Sequence, residues 1–163
     1  MITNDREELI VSMTDNNGRV TYVNRGFMRA TGFSEASIVG QPHSKLRNDA
    51  VPKAVFTMMW ETIRQQREFF CFLRNTTASG GAFWSFAAIY PHLRASGQID
   101  GYHATHRMID APPGVIEALY RDLLQIETRS SGLKEALPIL EKHCGVNTPD
   151  AFARQSLDLY IEQ

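Results

Sequence analysis

The side chains best suited to acid–base or metal chemistry are the histidines, His43, His92, His103, His106 and His143. A nucleophilic enzyme needs Ser, Cys or Thr beside a positioned base, and none of the histidines sits in such a motif. His103 and His106 lie three apart in a strand-like run, a spacing that sends them to opposite faces and makes a poor metal site. No P-loop and no GxGxxG phosphate loop is present, so the expectation is that this is not an enzyme. Cys71 and Cys144 are far apart without CxxC spacing, which suggests a reducing compartment rather than a disulfide framework. Cys71 stands in the apolar run FFCFLRN and reads as a small core residue. The densest polar functionality lies between Pro42 and Pro52: His43, Ser44, Lys45, Arg47, Asn48 and Asp49. Each proline disfavours the helical region for the residue before it, and an irregular polar segment between apolar elements is a natural pocket rim.

The surrounding elements must place that rim. Leu9–Thr14 and Val20–Val23 read as two strands joined through an Asn-Gly turn, a hairpin signal. Asn24 can cap a short helix over 25–31, which Gly32 ends, and Ser34 can cap another over 34–39. Pro52 suits an early position of a helix running to about Gln66, with Ala54, Val55, Met58, Met59 and Ile63 on its buried side and Trp60 flanking. Phe69–Thr76, Ala82–Tyr90 and Ile99–Ile109 read as strands, the middle one ended by Pro91. The fold class is therefore α+β: a five-stranded antiparallel sheet with helices packed to one side.

Ala111-Pro-Pro-Gly114 marks a boundary, dividing the chain into a domain over 1–110 and a helical C-terminal extension over 111–163. Ile116, Leu119, Leu123 and Ile126 recur at helical spacing. That helix is expected either to pack on the open face of its own sheet or to pair with a second copy. A second helical stretch, 133–143, holds Pro138, which either kinks or restarts it. Thr148-Pro149 opens a last helix as N-cap and N1.

The 163 residues are 43% hydrophobic and 21% charged, with formal net charge −1. That is ordinary globular composition, with no field favouring nucleic acid and no basic run for a membrane surface. The N-terminus is polar and no apolar run is long enough to insert into a membrane, so a cytoplasmic location is expected.

The set Thr14-Asp15, Gly18, Val20, Tyr22-Val23-Asn24, Phe27, Thr31-Gly32-Phe33, Val39-Gly40-Gln41-Pro42-His43 resembles a PAS domain. The match continues through Arg47, Pro52-Lys53-Ala54, Phe56, Met59-Trp60, Gly80, Phe83-Trp84 and Gly101-Tyr102, and looks most like the sensory PAS domains of aerotaxis receptors. The resemblance implies a PAS fold over roughly residues 9–110 with the first two strands central and a ligand pocket against one face. It implies FAD as a candidate cofactor, held by Asn24, Arg47, Phe56, Trp60 and Asn75. An arginine fork suits a pyrophosphate, an indole stacks on a flat ring, and an amide can donate and accept at a flavin edge. Haem is the alternative, with His43, His103 or His106 as axial ligand; the residues themselves leave the cofactor unknown. The sequence departs from the aerotaxis pattern at Asn48, Ala50 and Phe69, where that pattern has His, Asp and Trp.

Together these features imply a sensory and interaction module of bacterial signal transduction, related to motility or chemotaxis. It would sense a small-molecule ligand or redox state and act on a signalling protein in trans, since no output domain is attached; a homodimer is also consistent. The alternative is a ligand-free interaction scaffold whose pocket is filled by its own Phe, Met and Trp side chains, a reading the three departures favour.

Overall fold

The computed structural model describes residues 8–128 and 132–163. Strands β1 (Ile10–Thr14) and β2 (Val20–Val23) form the expected hairpin. In its turn, Asp15 Oδ1 accepts from the Asn17 and Arg19 amides, and Gly18 adopts φ 79°, a value that favours glycine. The short helices α1 (Arg25–Thr31) and α2 (Glu35–Ile38) are capped by Asn24 and Ser34 side chains, and α1 ends on left-handed Gly32. The rim segment is not wholly irregular: His43–Leu46 forms one 3-10 turn. Helix α3 (Lys53–Arg64) follows, then β3 (Phe69–Thr76), β4 (Ala82–Leu93) and β5 (Ile99–Ile109).

The sheet is five-stranded and antiparallel in the order β2-β1-β5-β4-β3. Two expectations are corrected here. The first two strands are not central: β2 is an edge and β5 lies in the middle, because β5 is long enough to pair with both β1 and β4. Pro91 does not end β4, which runs on to Leu93. Pro91 lies past the last β3 pair, Phe69–Ile89, where one side of β4 has no partner strand waiting for its missing N–H.

Helix α3 departs from the single buried side expected of it. At about 100° per residue, Phe56, Met59, Trp60 and Ile63 share one side and line a cavity. Ala54, Val55, Met58 and Thr62 lie on roughly the opposite side and are also buried. The second side is covered by chain from the C-terminal half, where α4 (Gly114–Glu127), α5 (Leu133–Cys144) and α6 (Pro149–Ile161) fold back. Pro138 neither restarts nor divides α5, which is helical on both sides of it.

The C-terminal helices pack in cis. Ile116, Leu119, Tyr120 and Leu123 of α4 are buried, and Tyr120 donates its hydroxyl to the Phe72 carbonyl of edge strand β3 at 2.7 Å. Phe152 of α6 packs against Phe69, and Tyr160 stacks on Phe86 with centroids 4.0 Å apart. The β3 edge is thereby covered, which removes a row of unpaired backbone groups from solvent. Among the described residues no helix is long and apolar enough to cross a membrane.

Candidate functional site

The cavity lies between the sheet and α3. It encloses about 340 Å³ and is partly open to solvent, a size within the usual range for small-molecule sites. Its apolar walls come from Leu46, Met59, Ile63, Leu73, Ile89 and Ala104, and no Asp or Glu lines it. Phe56, Met59 and Trp60 line the space without filling it, contrary to the picture of a pocket occupied by its own side chains.

The floor is built from strand residues whose side chains alternate toward the cavity. Asn75 donates Nδ2 to Ser85 Oγ at 2.9 Å, and Ser85 Oγ is 3.1 Å from His106 Nδ1. The His106 ring lies parallel to that of His43 with centroids 6.5 Å apart, and His43 Nε2 is 2.9 Å from Ser12 Oγ. Ser12, Ser85, Asn75 and His106 are buried. Burial, with a smaller contribution from the His43 charge, pulls His106 down to about 3, and burial lowers His43 as well. Both rings are therefore neutral near pH 7. Thr14 Oγ1, also at the cavity, is buried without a hydrogen-bond partner.

The mouth is built differently. The Arg47 guanidinium sits 3.9 Å from the Phe56 ring centroid, and no carboxylate among the described residues pairs with it. Partial burial lowers its pKa, but a guanidinium stays charged. Arg47 and Asn75 also form an isolated backbone bridge, tying mouth to floor. Trp60 is clamped: it meets Tyr102 edge-on at 5.3 Å, lies under Arg64 at 5.0 Å, and leaves only 3.4 Å to where a Cβ on Gly18 would stand.

Of the residues singled out from the sequence, the structure brings Arg47, Phe56, Trp60 and Asn75 together around this cavity. Asn24 is elsewhere. Its Oδ1 accepts from the Phe27 and Val11 amides and its Nδ2 donates to the Leu9 carbonyl, so its groups are spent on capping α1 and tying it to β1. His43 and His106 line the cavity, whereas His103 stacks on Tyr90 on the other face of the sheet and is no axial ligand for a group bound here. No cysteine lines the cavity, and burial pushes the Cys71 thiol up, keeping it protonated. Sequence reasoning missed the hydrogen-bonded floor. Its signal was a lone serine in each of two apolar strands, Ser12 in LIVSMT and Ser85 in AFWSFAAIY.

The family model described as the PAS fold matches residues 10–109. The chain is 30% identical over 115 residues to the aerotaxis receptor of Escherichia coli K12, covering 70% of this chain and 22% of that protein. It is 25% identical over 138 residues to the nitrogen fixation regulatory protein of Klebsiella pneumoniae, covering 85% of this chain and 28% of that one. The chain thus spans about a quarter of the length of these relatives. Among solved structures, the light state of the blue-light photoreceptor Aureochrome1 LOV is similar with TM-score 0.59 and 18% identity, over 76% of this chain and 94% of that one. A PAS domain from Colwellia psychrerythraea is similar with TM-score 0.58 and 20% identity, over 62% of this chain and 86% of that one. At these identities the structural likenesses carry the fold alone.

Proposed function

The chain belongs to the PAS-fold family, and from that premise we propose that it is a bacterial sensory module whose cavity binds a flat, anionic small molecule, FAD, and signals its state to a partner protein. The observation that carries this reading is the combination of Arg47 at the mouth, which pairs with no carboxylate among the described residues, with a clamped aromatic wall and a fixed, neutral polar floor. An acid-free cavity with a guanidinium at its mouth favours an anion, and an indole offers a stacking surface to a ring system. The unpartnered Thr14 hydroxyl leaves a hydrogen bond for a ligand to complete.

The residues fit FAD on these grounds. Arg47 would hold the pyrophosphate, Trp60 and Phe56 the ring systems, and Asn75 a polar edge. Bound FAD would supply reversible redox chemistry; the chain's own groups bind it, orient it and keep water from its buried face. The likeness to a receptor and to a regulatory protein supports a signalling role, and the first of these points to aerotaxis or chemotaxis. Signalling is then a shift between two packings of the cavity wall, biased by what the cavity holds. It acts on a partner protein in the cytoplasm, and a homodimer is consistent with it.

An absorbance spectrum of the purified protein, with analysis of anything released on denaturation, tests the ligand. Flavin bands and released FAD are expected. A Soret band would replace FAD by haem and turn attention to His43 and His106, whereas a featureless visible spectrum in protein that also fails to take up added FAD would refute the flavin reading.

A further inference from the structure

Helix α3 needs an N-cap that its own neighbourhood does not provide. The capping position is Pro52, which has no side-chain acceptor, so the first free N–H groups of the helix require an outside partner. Glu127 supplies it from 73 residues away: Oε2 accepts from the Lys53 amide at 3.0 Å and Oε1 from the Ala54 amide at 2.9 Å. A carboxylate there also meets the positive end of the helix dipole. Glu127 is the last residue of α4, and α4 is tied in turn to α5 through Asp122 Oδ2, 2.7 Å from His143 Nε2 and 3.8 Å from Lys142 Nζ.

The helix so held forms one wall of the cavity. One side of α3 carries Phe56 and Trp60 to the cavity, and its opposite side is buried under the C-terminal helices. Just before it in the chain come Arg47 at the cavity mouth and the polar turn leading to Pro52. An axial shift or tilt of α3 that accompanies filling of the cavity cannot leave both Glu127 bonds intact unless α4 follows.

We propose that Glu127 is a positioning residue that couples the cavity to the C-terminal helices: its bidentate cap sets where α3 stands, and cavity occupancy is passed through it to α4. The coupling is reciprocal, so the same contact sets the cavity's affinity. The occupied state invoked here rests on the ligand reading given above, whereas the cap does not.

Hydrogen–deuterium exchange on the full chain tests it, comparing wild type with Glu127→Ala and Glu127→Gln, and using FAD as the probe. In Glu127→Ala the Lys53 and Ala54 amides should exchange roughly fivefold or more faster, the loss expected for a helix cap, while β1 and β2 stay as protected as in wild type. Glu127→Gln retains one acceptor oxygen and should fall between the two, and it serves if the alanine variant does not fold. Added FAD should slow exchange in the last turn of α4 in wild type and leave that turn unchanged in Glu127→Ala, an effect that mere stabilisation by the cap would not produce. Unchanged Lys53 and Ala54 exchange in the variant, or a uniform rise across all strands, would overturn the proposal; so would the same α4 response to FAD with and without Glu127. If FAD does not bind wild type, the flavin reading fails, and the exchange of α3 in the two variants still decides whether Glu127 sets its position.

Discussion

The floor and the mouth of the cavity use opposite means to hold polar groups. The floor is largely buried and neutral, and apart from Thr14 Oγ1 it is internally satisfied: Asn75, Ser85 and His106 form one chain of contacts, and His43 and Ser12 another. The mouth is exposed and charged, with Arg47 resting on the ring of Phe56 and no carboxylate among the described residues pairing with it. A buried polar network is worth having only when complete, because each unpaired member costs on the order of 1–3 kcal/mol. A cation over an exposed ring contributes about 0.5–1 kcal/mol and leaves its N–H groups available. The floor is therefore a fixed part of the fold, and the mouth is where a ligand can be gained or lost without unfolding anything.

The sharpest way to break this contrast is Ser85→Ala. It removes the partner of His106 Nδ1 and the shorter of the two bonds from Asn75 Nδ2, leaving only a 3.5 Å bond to the Phe83 carbonyl, and urea denaturation should show a loss of about 2–4 kcal/mol. Pairing it with His106→Leu should recover part of that loss, since two apolar groups leave less unsatisfied.

The next effect is on pH dependence. His106 is held down to about 3 by burial, against about 6.5 in the unfolded chain. The unfolded state therefore takes up the proton first, and stability is lost as pH falls below 6.5. For this group the loss should reach about 2 kcal/mol by pH 5, with His43, lowered in the same direction, adding to it. Denaturation midpoints across pH 5–7 check the slope, and His106→Gln should flatten it.

These two predictions rest on residues that the sequence disclosed only in part, and the reason is physical. The hairpin, the caps at Asn24, Ser34 and Thr148, and the three long strands are local matters of turn chemistry and alternation, so they were legible. The rim was legible for the same reason, as prolines bracketing a polar run. The sheet order was not, because β5 chooses its neighbours by tertiary contact. The continuation of β4 through Pro91 depended on where β3 stops, which is also non-local. Arg47, Phe56, Trp60 and Asn75 lie around one cavity, while Asn24 went to the job its spacing to Phe27 already indicated, a helix cap. Ser12 and Ser85 were visible as polar interruptions, but nothing local said which histidine each would face. Glu127 and α3 are 73 residues apart, and no periodicity links them.

Smaller effects sharpen the contrast. Thr14 Oγ1 is the floor's unpaired atom. Thr14→Val should stabilise the ligand-free protein by about 1 kcal/mol in thermal or urea melts, and it should weaken the ligand that would otherwise complete the bond. Arg47→Ala should change stability least, by less than about 1 kcal/mol, because the side chain is exposed and pairs with no carboxylate among the described residues. A large loss of stability on removing Arg47, or none on removing Ser85, would reverse the roles assigned to mouth and floor.

The most direct test is a calorimetric titration of the FAD-free protein with FAD, run beside Arg47→Ala. The account predicts saturable one-to-one binding that the substitution weakens at least tenfold, about 1.4 kcal/mol, at unchanged fold stability. No binding to the wild type, or equal affinity in both proteins, would contradict it.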